Sequence, residues 1–457
     1  MTHHPPLFET LHRLSQRDRV RFHMPGHAGR CPYTFNPFPI DYTELPETGN
    51  LYEGDGPIAR AEQAAAHYFG AKSCLFSTGG ATLGLQAALL AAAGPGGRLA
   101  LDRNCHRSVG NAMALLDIEP DFIWGEWVEP AGVTGALPLD EVRRVLSRKP
   151  AALLVTSPTY FGLCLPIAPL ARLCHEAGAL LIVDEAHGAH FPALGLPNAL
   201  AQGADLAIVS LHKTLPCLGQ GAALLSNGVI SARALREAMA VFGTSSPSYA
   251  ILASMDAARA YCQGEGGARY RALAGRMPAL RRQIETETSL RCLSAPGLAA
   301  DPTRLTLICT APGMTGHWLY AQLADRFGID GEMATGNAVV LILTCAHTAD
   351  DLTRLLIALK QLCPPMAEDT PSPFRRVPAA FPRPPRRLSL RQVLFAPCEP
   401  VPLEQAAGRI CARAVTPYPP GVPLLYPGEE ILQKHIELFQ QKCYTLSNVV
   451  YVISSST

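Results

Sequence analysis

The sequence predicts an α/β protein in which helices cover both faces of a mainly parallel β-sheet. From residue 58 onward, short apolar segments alternate with segments of helical periodicity. The apolar segments are continuous, as in strands buried on both faces, and lack the polar alternation of half-exposed strands. Polar residues also cluster directly after several of these segments, and ligands of open parallel sheets bind at the carboxyl ends of the strands.

The predicted elements follow one another in strand–helix order. Helices are predicted at 58–69, 81–93, 107–116, 139–148 and 167–177, and strands at 73–76, 98–102, 121–125, 151–157, 179–186, 206–210 and 221–226. A helical stretch at 248–288 then precedes a second, smaller α/β unit with strands at 304–310 and 339–345 and helices at 315–327 and 348–362. This second unit has too few strands to be an equal half.

A chain of 457 residues is too long for one ordinary core, so several domains are predicted. Residues 1–57 are rich in His, Pro and Gly and are interpreted as an irregular N-terminal arm that lies on another subunit. A large domain (58–265), a small α/β domain (266–363), a Pro-rich linker (364–387) and a C-terminal α+β domain (388–457) follow.

The composition excludes several classes of protein. A net charge of +1 provides no field that would attract nucleic acid or an acidic membrane. No segment has the length and apolarity of a signal peptide core or a membrane span. The 14 cysteines are scattered, without a CxxC pair or a Cys/His cluster, so reduced thiols, a cytoplasmic location and no metal site are predicted.

One strand end carries a Gly/Thr-rich turn, "LFSTGGATLG", before a helix. Free N–H groups and the dipole at a helix N-terminus favour phosphate, although such a turn also serves simply as a helix cap. The turn matches neither the GxxxxGK[ST] loop nor the GxGxxG fingerprint, which argues against the common nucleotide-binding folds.

Two further strand ends carry Asp184, in "LIVDEAHGAH", and Lys213, in "AIVSLHKTL". Alone, Asp184 is compatible with a helix cap and Lys213 with a surface lysine, and His106 and His187 are compatible with structural histidines. Together with the phosphate turn, however, they match the needs of pyridoxal phosphate. The lysine forms a Schiff base with its aldehyde, and the carboxylate keeps its pyridine nitrogen protonated.

Motifs along the whole chain resemble the Orn/Lys/Arg decarboxylases of aminotransferase-like fold, in their short bacterial form. The resemblance extends from about residue 5 to about residue 432, and the last residues, "FQQKCYTLSNVVYVISSST", match none of its motifs. The motifs are "RFHMPGHAG" (21–29), "DRNCHRS" (102–108), "SPTYFG" (157–162), "VDEAHGAH" (183–190), "SLHKTL" (210–215), "TSSPSY" (244–249) and "PYPPGVPLLYPGEE" (417–430).

The resemblance implies a fold type I pyridoxal-phosphate enzyme with a large domain, a small α/β domain and a C-terminal domain. It also implies a homodimer, or a multiple of one, with active sites at the subunit interface. Lys213 would be the Schiff-base lysine and Asp184 the partner of the pyridine nitrogen, while His106 would stack on the ring and His187 would lie beside it. The implied phosphate and further cofactor contacts are Ser210, His212, Gly80, Ala81, Thr82 and Thr159.

The sequence departs from the family pattern at three places. Ala28 replaces the lysine of the usual MPGHKG motif, so a basic group is missing there. The phosphate turn has Gly79-Gly80-Ala81-Thr82 where Asn-Gly-Ser-Thr is common, and Gly219 replaces the Thr that usually precedes Gln220. The turn keeps its backbone N–H groups and Thr82, so we expect weaker retention of the cofactor.

The resemblance implies decarboxylation of arginine, lysine or ornithine to agmatine, cadaverine or putrescine in polyamine metabolism. Arginine leads, because short relatives are often arginine-directed. The cationic end of the substrate needs a carboxylate, and the candidates are Glu44, Glu47 and Asp55, reaching in from the partner subunit, although an acidic loop facing solvent would look the same. Another pyridoxal-phosphate reaction, such as transamination or β-elimination, and a non-catalytic relative remain as alternatives.

Overall fold

A computed structural model describes residues 6–33, 35–128, 133–365, 382–415, 423–440 and 449–454. A seven-stranded sheet forms its centre, and helices pack on both faces. The helices and strands up to the last strand of this sheet are α1 (Pro6–Ser15), β1 (Val20–Phe22), α2 (Gly56–Phe69), β2 (Ser73–Ser77), α3 (Gly80–Ala93), β3 (Arg98–Asp102), α4 (Arg107–Leu116), β4 (Glu119–Ile123), β5 (Trp127–Val128), β6 (Val133–Thr134), α5 (Leu139–Leu146), β7 (Ala152–Thr156), β8 (Leu163–Cys164), α6 (Ile167–Glu176), β9 (Leu180–Asp184), α7 (Phe191–Leu194), β10 (Leu206–Val209), α8 (Leu211–Thr214) and β11 (Ala222–Ser226).

The strand order of this sheet is β2-β11-β10-β9-β7-β3-β4. Strands β10, β9, β7, β3 and β4 run parallel, and only β11 runs antiparallel to its two neighbours. The strands are buried because separate apolar clusters cover the two faces of the sheet. The prediction of a mainly parallel sheet covered on both sides is confirmed, and the carboxyl ends of the parallel strands meet at one edge.

Most predicted elements begin and end within two residues of the observed ones. Strand β4 begins earlier than predicted, at Glu119, and includes Pro120, which is tolerated because β4 is an edge strand. The long helical stretch after the sheet is divided at Gly264. The helices are α9 (Ala232–Phe242), α10 (Tyr249–Gln263) and α11 (Glu265–Glu287).

A second sheet follows, with the strand order β12-β14-β17-β16. Unlike the large sheet it is antiparallel throughout. Both of its faces are covered, one by helices and the other by residues that include Phe161 and Leu163 of the large domain. The elements of this region are β12 (Leu290–Cys292), β13 (Ala299–Ala300), β14 (Arg304–Cys309), α12 (Gly316–Phe327), β15 (Ile329–Gly331), β16 (Met333–Ala334), β17 (Ala338–Ile342) and α13 (Ala349–Leu362).

The N-terminal segment is more regular than its sequence predicts. Strand β1 pairs in parallel with β15, and it alternates buried Val20 and Phe22 with the less buried Arg21. The segment "MPGHAG" that follows β1 therefore lies beside the chain's own domains. Whether the rest of residues 1–57 also reaches a second subunit stays a prediction.

The C-terminal region forms a small core of its own around Leu425, Ile431 and Val452. Strand β19 includes part of the tail that matched no family motif, and it pairs with β18 across five residue pairs. Most of the Pro-rich linker, at 366–381, and the start of "PYPPGVPLLYPGEE" lie outside the described residues. The elements of this region are α14 (Leu390–Phe395), β18 (Cys398–Pro402), α15 (Gln433–Gln440) and β19 (Val449–Ile453).

The cysteines in the described part of the chain are free thiols. No helix in the same part is both long and apolar enough to cross a membrane.

Candidate active site

Asp184 and Lys213 lie at the same edge of the large sheet. Asp184 is the last residue of β9 and pairs with Ile208 of the neighbouring parallel strand β10. The chain leaves β10 at Ser210 and enters the short helix α8, which carries Lys213. The register therefore places the carboxylate and the amine on adjacent strand ends, as the sequence predicts.

Three other segments fix the helix that carries Lys213. Gly26 donates its N–H to His212 O at 2.8 Å, and the side-chain Nδ1 of His212 lies 2.9 Å from Gly221 O. The hydroxyl of Tyr270 donates to Thr214 O. Gly26 is needed at this contact, because an added Cβ would lie 2.7 Å from the backbone carbon of Thr214.

The amine of Lys213 lies 3.1 Å from Nε2 of His187, which follows Asp184 by three positions. Nδ1 of the same imidazole lies 3.0 Å from a guanidinium nitrogen of Arg304. Burial lowers the pKa of Lys213, and the positive charge of Arg304 lowers it further, against the opposing effect of Asp184. Burial also holds the pKa of His187 well below its usual range, and the charges of Lys213 and Arg304 act in the same direction.

His106 directly precedes helix α4 and caps it. Its Nδ1 accepts a hydrogen bond from the backbone N–H of Ser108 and lies 2.8 Å from that residue's hydroxyl. Desolvation lowers the pKa of His106 and Lys213 contributes to the decrease, whereas Asp184 opposes it. The imidazole is therefore oriented by its own helix and lies within electrostatic range of both predicted cofactor ligands.

Among the predicted phosphate contacts, Ser210 has unused hydrogen-bonding capacity, whereas the N–H of Gly80 already donates to Gln220 O at 2.9 Å. The hydroxyl of Ser210 is buried and has no partner among the described residues. Helix α3 begins at Gly80 without a side-chain cap, and Thr82 in its first turn is exposed. A buried hydroxyl without a partner costs free energy unless a ligand satisfies it, and an uncapped helix N-terminus favours an anion. These residues fit the phosphate of pyridoxal phosphate.

Thr159 is the member of the predicted set whose side chain is already engaged. It is buried, and its hydroxyl oxygen accepts a hydrogen bond from Leu163 N at 3.1 Å. This bond stabilises the turn of "SPTYFG", so Thr159 supports the neighbouring Tyr160, whose ring lies edge-on to His187 with the centroids 5.0 Å apart.

Arg304 and Glu332 belong to the same cluster and were not identified from the sequence. Arg304 opens strand β14, and Glu332 lies between β15 and β16. Glu332 accepts hydrogen bonds from the hydroxyl of Tyr160 and from Met24 N, and its charge acts to raise the pKa of Lys213. The sequence signal that could have identified Arg304 is a charged residue at the start of an apolar strand. A charged side chain is seldom fully buried without a partner, so this position indicates a buried contact.

Two of the three predicted substrate carboxylates accept hydrogen bonds within their own N-terminal segment. Glu44 accepts a hydrogen bond from the hydroxyl of Thr43, and Asp55 accepts one from Asn50 N at 2.7 Å. Glu47 is exposed. Their predicted role at the site of a partner subunit stays a prediction.

Models of one protein family match most of the chain. The model of the Orn/Lys/Arg decarboxylase major domain matches residues 5–294, and the model of the C-terminal domain of the same family matches residues 382–444. The chain belongs to the Orn/Lys/Arg decarboxylase family. The resemblance found in the sequence motifs is thereby confirmed.

Similar proteins of this decarboxylase family include relatives with two different substrates in their names. The arginine decarboxylase of Bacillus subtilis is 31% identical over 458 residues, which cover 95% of this chain and 92% of that protein. The constitutive lysine decarboxylase of Escherichia coli is 23% identical over 547 residues, which cover 94% of this chain and 76% of that protein. The predicted enzyme class, a pyridoxal-phosphate-dependent amino-acid decarboxylase, is confirmed by the family and by these named relatives.

Solved structures confirm the predicted fold. The structure of the Escherichia coli constitutive lysine decarboxylase has a TM-score of 0.77 at 20% identity and covers 99% of this chain and 82% of its own. The alanine–glyoxylate aminotransferase of Nostoc has a TM-score of 0.58 at 17% identity and covers 76% of this chain and 95% of its own. The decarboxylase therefore has the aminotransferase-like fold.

Proposed function

We propose that this decarboxylase acts on a basic amino acid, with arginine as its leading substrate, and binds pyridoxal phosphate covalently through Lys213. The observation that carries the proposal is the placement of Lys213 and Asp184 on adjacent parallel strand ends. A desolvated lysine has the depressed pKa that favours the nucleophilic free amine.

The other residues of the cluster complete the proposed cofactor site. Asp184 holds the pyridine nitrogen, and His106 lies against the ring. Ser210, His212 and the first turn of α3 (80–82) bind the phosphate. When bound, pyridoxal phosphate accepts the electron pair of the bond that breaks as carbon dioxide leaves.

The protein controls the fate of the proton after this step. Lys213 Nζ, with His187 Nε2 at 3.1 Å, is the group we assign to return a proton to the substrate Cα, and this is the proton that the ammonium group of the substrate gives up on binding. Return of the proton to Cα yields the amine, whereas its return to the cofactor would lead towards transamination. An amine product therefore requires that Lys213 lie close to the substrate Cα.

Recognition of a cationic substrate needs a carboxylate near Lys213. Glu332 is such a group, because its charge acts on Lys213. A carboxylate has about four acceptor positions, and the two hydrogen bonds from Tyr160 and Met24 leave some of them for a substrate. Glu44, Glu47 and Asp55 of a second subunit remain the other candidates. We favour arginine as the substrate because the match to the arginine decarboxylase has 31% identity and covers 92% of that protein. The match to the lysine decarboxylase has 23% identity and covers 76% of that protein.

A homodimer is part of the proposal. Phe38 and Tyr42 expose 87% and 56% of their surfaces and lie close in sequence to Glu44 and Glu47. Large exposed apolar side chains next to candidate substrate ligands are expected where a second copy of the chain completes the site. The proposed location is the cytoplasm, and the amine product places the enzyme in polyamine metabolism.

The decisive experiment compares amine formation from arginine, lysine and ornithine by the purified enzyme reconstituted with pyridoxal phosphate. We expect agmatine as the main product, no keto acid, and a visible absorption band from the lysine-bound cofactor. Lys213→Ala should abolish the band and the activity, whereas Lys360→Ala, which removes only a surface ion pair with Glu287, should retain both. Keto acid without amine, or an unchanged band in Lys213→Ala, would contradict the proposal.

The role of Ser210 in phosphate binding has its own test. Because its hydroxyl has no partner among the described residues, Ser210→Ala should leave the stability of the apoprotein nearly unchanged. The binding free energy of pyridoxal phosphate should weaken by about 1.5–3 kcal/mol, which is at least a tenfold loss of affinity, through the loss of one hydrogen bond to a charged group. Urea unfolding of the apoprotein and cofactor titration measure the two effects, and lower stability with unchanged affinity would assign Ser210 to the fold instead.

A further inference from the structure

Arg304 is the most unusual charged residue of the active-site cluster. Only 2% of its surface is exposed, and its charge helps to lower the pKa of the buried Asp301, but Nε of Arg304 and Oδ2 of Asp301 both lack a hydrogen-bond partner among the described residues. Its guanidinium instead donates to Tyr160 O at 3.2 Å and contacts Nδ1 of His187 at 3.0 Å. A buried cation whose partners are a carbonyl and an imidazole is costly for folding, so its position calls for a functional explanation.

The hydrogen-bonding roles in this chain of contacts are fixed by the chemistry of arginine. A guanidinium has donors and no acceptor, and it does not lose its proton in a protein. Nδ1 of His187 must therefore be the unprotonated acceptor. A neutral imidazole with a bare Nδ1 carries its proton on Nε2, the nitrogen that faces Lys213.

The proton on Nε2 of His187 also determines the protonation state of Lys213. An ammonium group can only donate, and it would face the N–H of His187 as a second donor. The contact of 3.1 Å is a hydrogen bond only if the amine of Lys213 is neutral and accepts the Nε2 proton. The three side chains are thus mutually compatible in one protonation state.

We infer that Arg304 is a positioning residue that fixes His187 in its Nε2–H form and thereby holds Lys213 as a free amine. The inference deepens the proposed function and rests on it for the role of Lys213. Arg304 belongs to the small domain and His187 to the large domain, so the protonation state of the lysine depends on the packing of the two domains.

The aliphatic part of the Arg304 side chain packs against Gly162. An added Cβ on Gly162 would lie 2.5 Å from Cγ of Arg304, and Gly162 has a left-handed φ of +92° that disfavours any other residue. The backbone of Arg304 is held as well, because its N–H donates to Asp301 O at 3.2 Å. Asp301 is in turn paired with the buried His190.

Charges on all sides of Lys213 enter its acid–base balance. Asp184, at the end of β9, and Glu332, beside β16, favour the ammonium form, whereas Arg304 and burial favour the free amine, and the pKa is lowered as a net result. His106, His187 and His212 also face this amine from the large domain. Removal of Arg304 therefore acts in two ways, through its charge and through its hydrogen bond, and the test must separate them.

The test uses the apoprotein, so it does not depend on the bound cofactor. Two-bond ¹H–¹⁵N spectra of ¹⁵N-histidine-labelled protein distinguish the two neutral imidazole forms, and His187→Gln identifies the signal. We expect the Nε2–H form in the wild type and in Arg304→Lys, which keeps a long cationic donor. Arg304→Met should release His187 to the Nδ1–H form, whose bare Nε2 accepts a hydrogen bond from the Lys213 ammonium.

The pH dependence of reductive methylation of Lys213, measured on its peptide by mass spectrometry, gives the second readout. The labelling midpoint should rise in Arg304→Met, and each unit of increase lowers the free-amine fraction at neutral pH about tenfold. Arg304→Lys should stay near the wild type, and Lys360 provides an internal surface control.

Detection of His187 in the Nδ1–H form in the wild type, or an unchanged form in Arg304→Met, would overturn the inference. The wild-type spectrum decides even if a variant fails to fold. Neither result would alter the amine products found in the substrate panel, so the inference and the proposed function can fail separately.

Discussion

Glu429→Gln tests how the C-terminal domain supports the active site. The carboxylate of Glu429 receives two hydrogen bonds from Arg103, of 2.8 and 2.7 Å, and a third from Tyr426 N at 2.7 Å. Arg103 belongs to the segment between β3 and α4 that also carries His106. The pair therefore connects the C-terminal domain to the residue proposed to lie against the cofactor ring.

The expected cost follows from the geometry of the pair. The side chains of Arg103 and Glu429 are 6% and 3% exposed, so solvent screens their attraction little. In its better orientation a glutamine keeps the oxygen that accepts from Tyr426 N and turns its NH₂ group towards a guanidinium donor. One hydrogen bond and the compensating charge are lost, and breaking a buried pair costs about 3–5 kcal/mol, so we expect about 3 kcal/mol.

Urea unfolding followed by tryptophan fluorescence measures this loss, since the ring centroid of Trp124 lies 4.3 Å from the guanidinium carbon of Arg103. Arg103→Met removes the donor that conflicts with the new amide. The double variant should therefore cost about 2 kcal/mol less than the sum of the two single variants. Glu237→Gln, which alters an exposed helical ion pair, should change stability by less than about 0.5 kcal/mol. Additive single-variant costs, or a Glu429→Gln cost as small as that of the control, would refute the reasoning.

Two further predictions concern packing and pH. Gly26→Ala should weaken binding of pyridoxal phosphate, because the added Cβ would displace the backbone of Thr214. Gly275→Ala, whose added Cβ has open space around it, should leave cofactor binding unchanged. Titration of both variants with the cofactor tests this prediction. Burial raises the pKa of Asp351, but hydrogen bonds from Arg30 outweigh it and lower the pKa to about 2. A carboxyl with a lowered pKa stabilises the fold above its unfolded pKa of about 4, so about 2 kcal/mol of stability should be lost as the pH falls from about 4 to 2. Asp351→Asn should remove this acid-dependent loss, and unfolding curves across that interval that match the wild type would contradict the assignment.

The large sheet was predictable because its strands carry a local signal. Each is a short apolar run, and most of the helices between them are amphipathic, so the elements and their order follow from the sequence. The direction of β11 did not follow, since an apolar run has the same pattern whether it pairs parallel or antiparallel. The antiparallel pairing within the small domain was missed for the same reason.

Lys213 and Asp184 were predictable because each interrupts an apolar pattern at a strand end. Parallel strands bring their carboxyl ends to one edge, so two local interruptions become neighbours through the topology alone. His106 and His187 follow from the same edge, and His187 also shares its motif with Asp184. The contact between His187 and Lys213 needs the register of β9 and β10, which the sequence does not contain.

Arg304 and Glu332 could not be placed because their neighbours are set by domain packing. All six residues of β14 are buried, since helices cover one face of its sheet and the large domain covers the other. An arginine at the start of such a strand is shielded from solvent, so its hydrogen-bond partners must come from the large domain. These partners are Tyr160 and His187. A charged residue that opens a doubly covered strand is therefore a functional candidate before its partner is known, and the partner emerges only when the two domains are packed together.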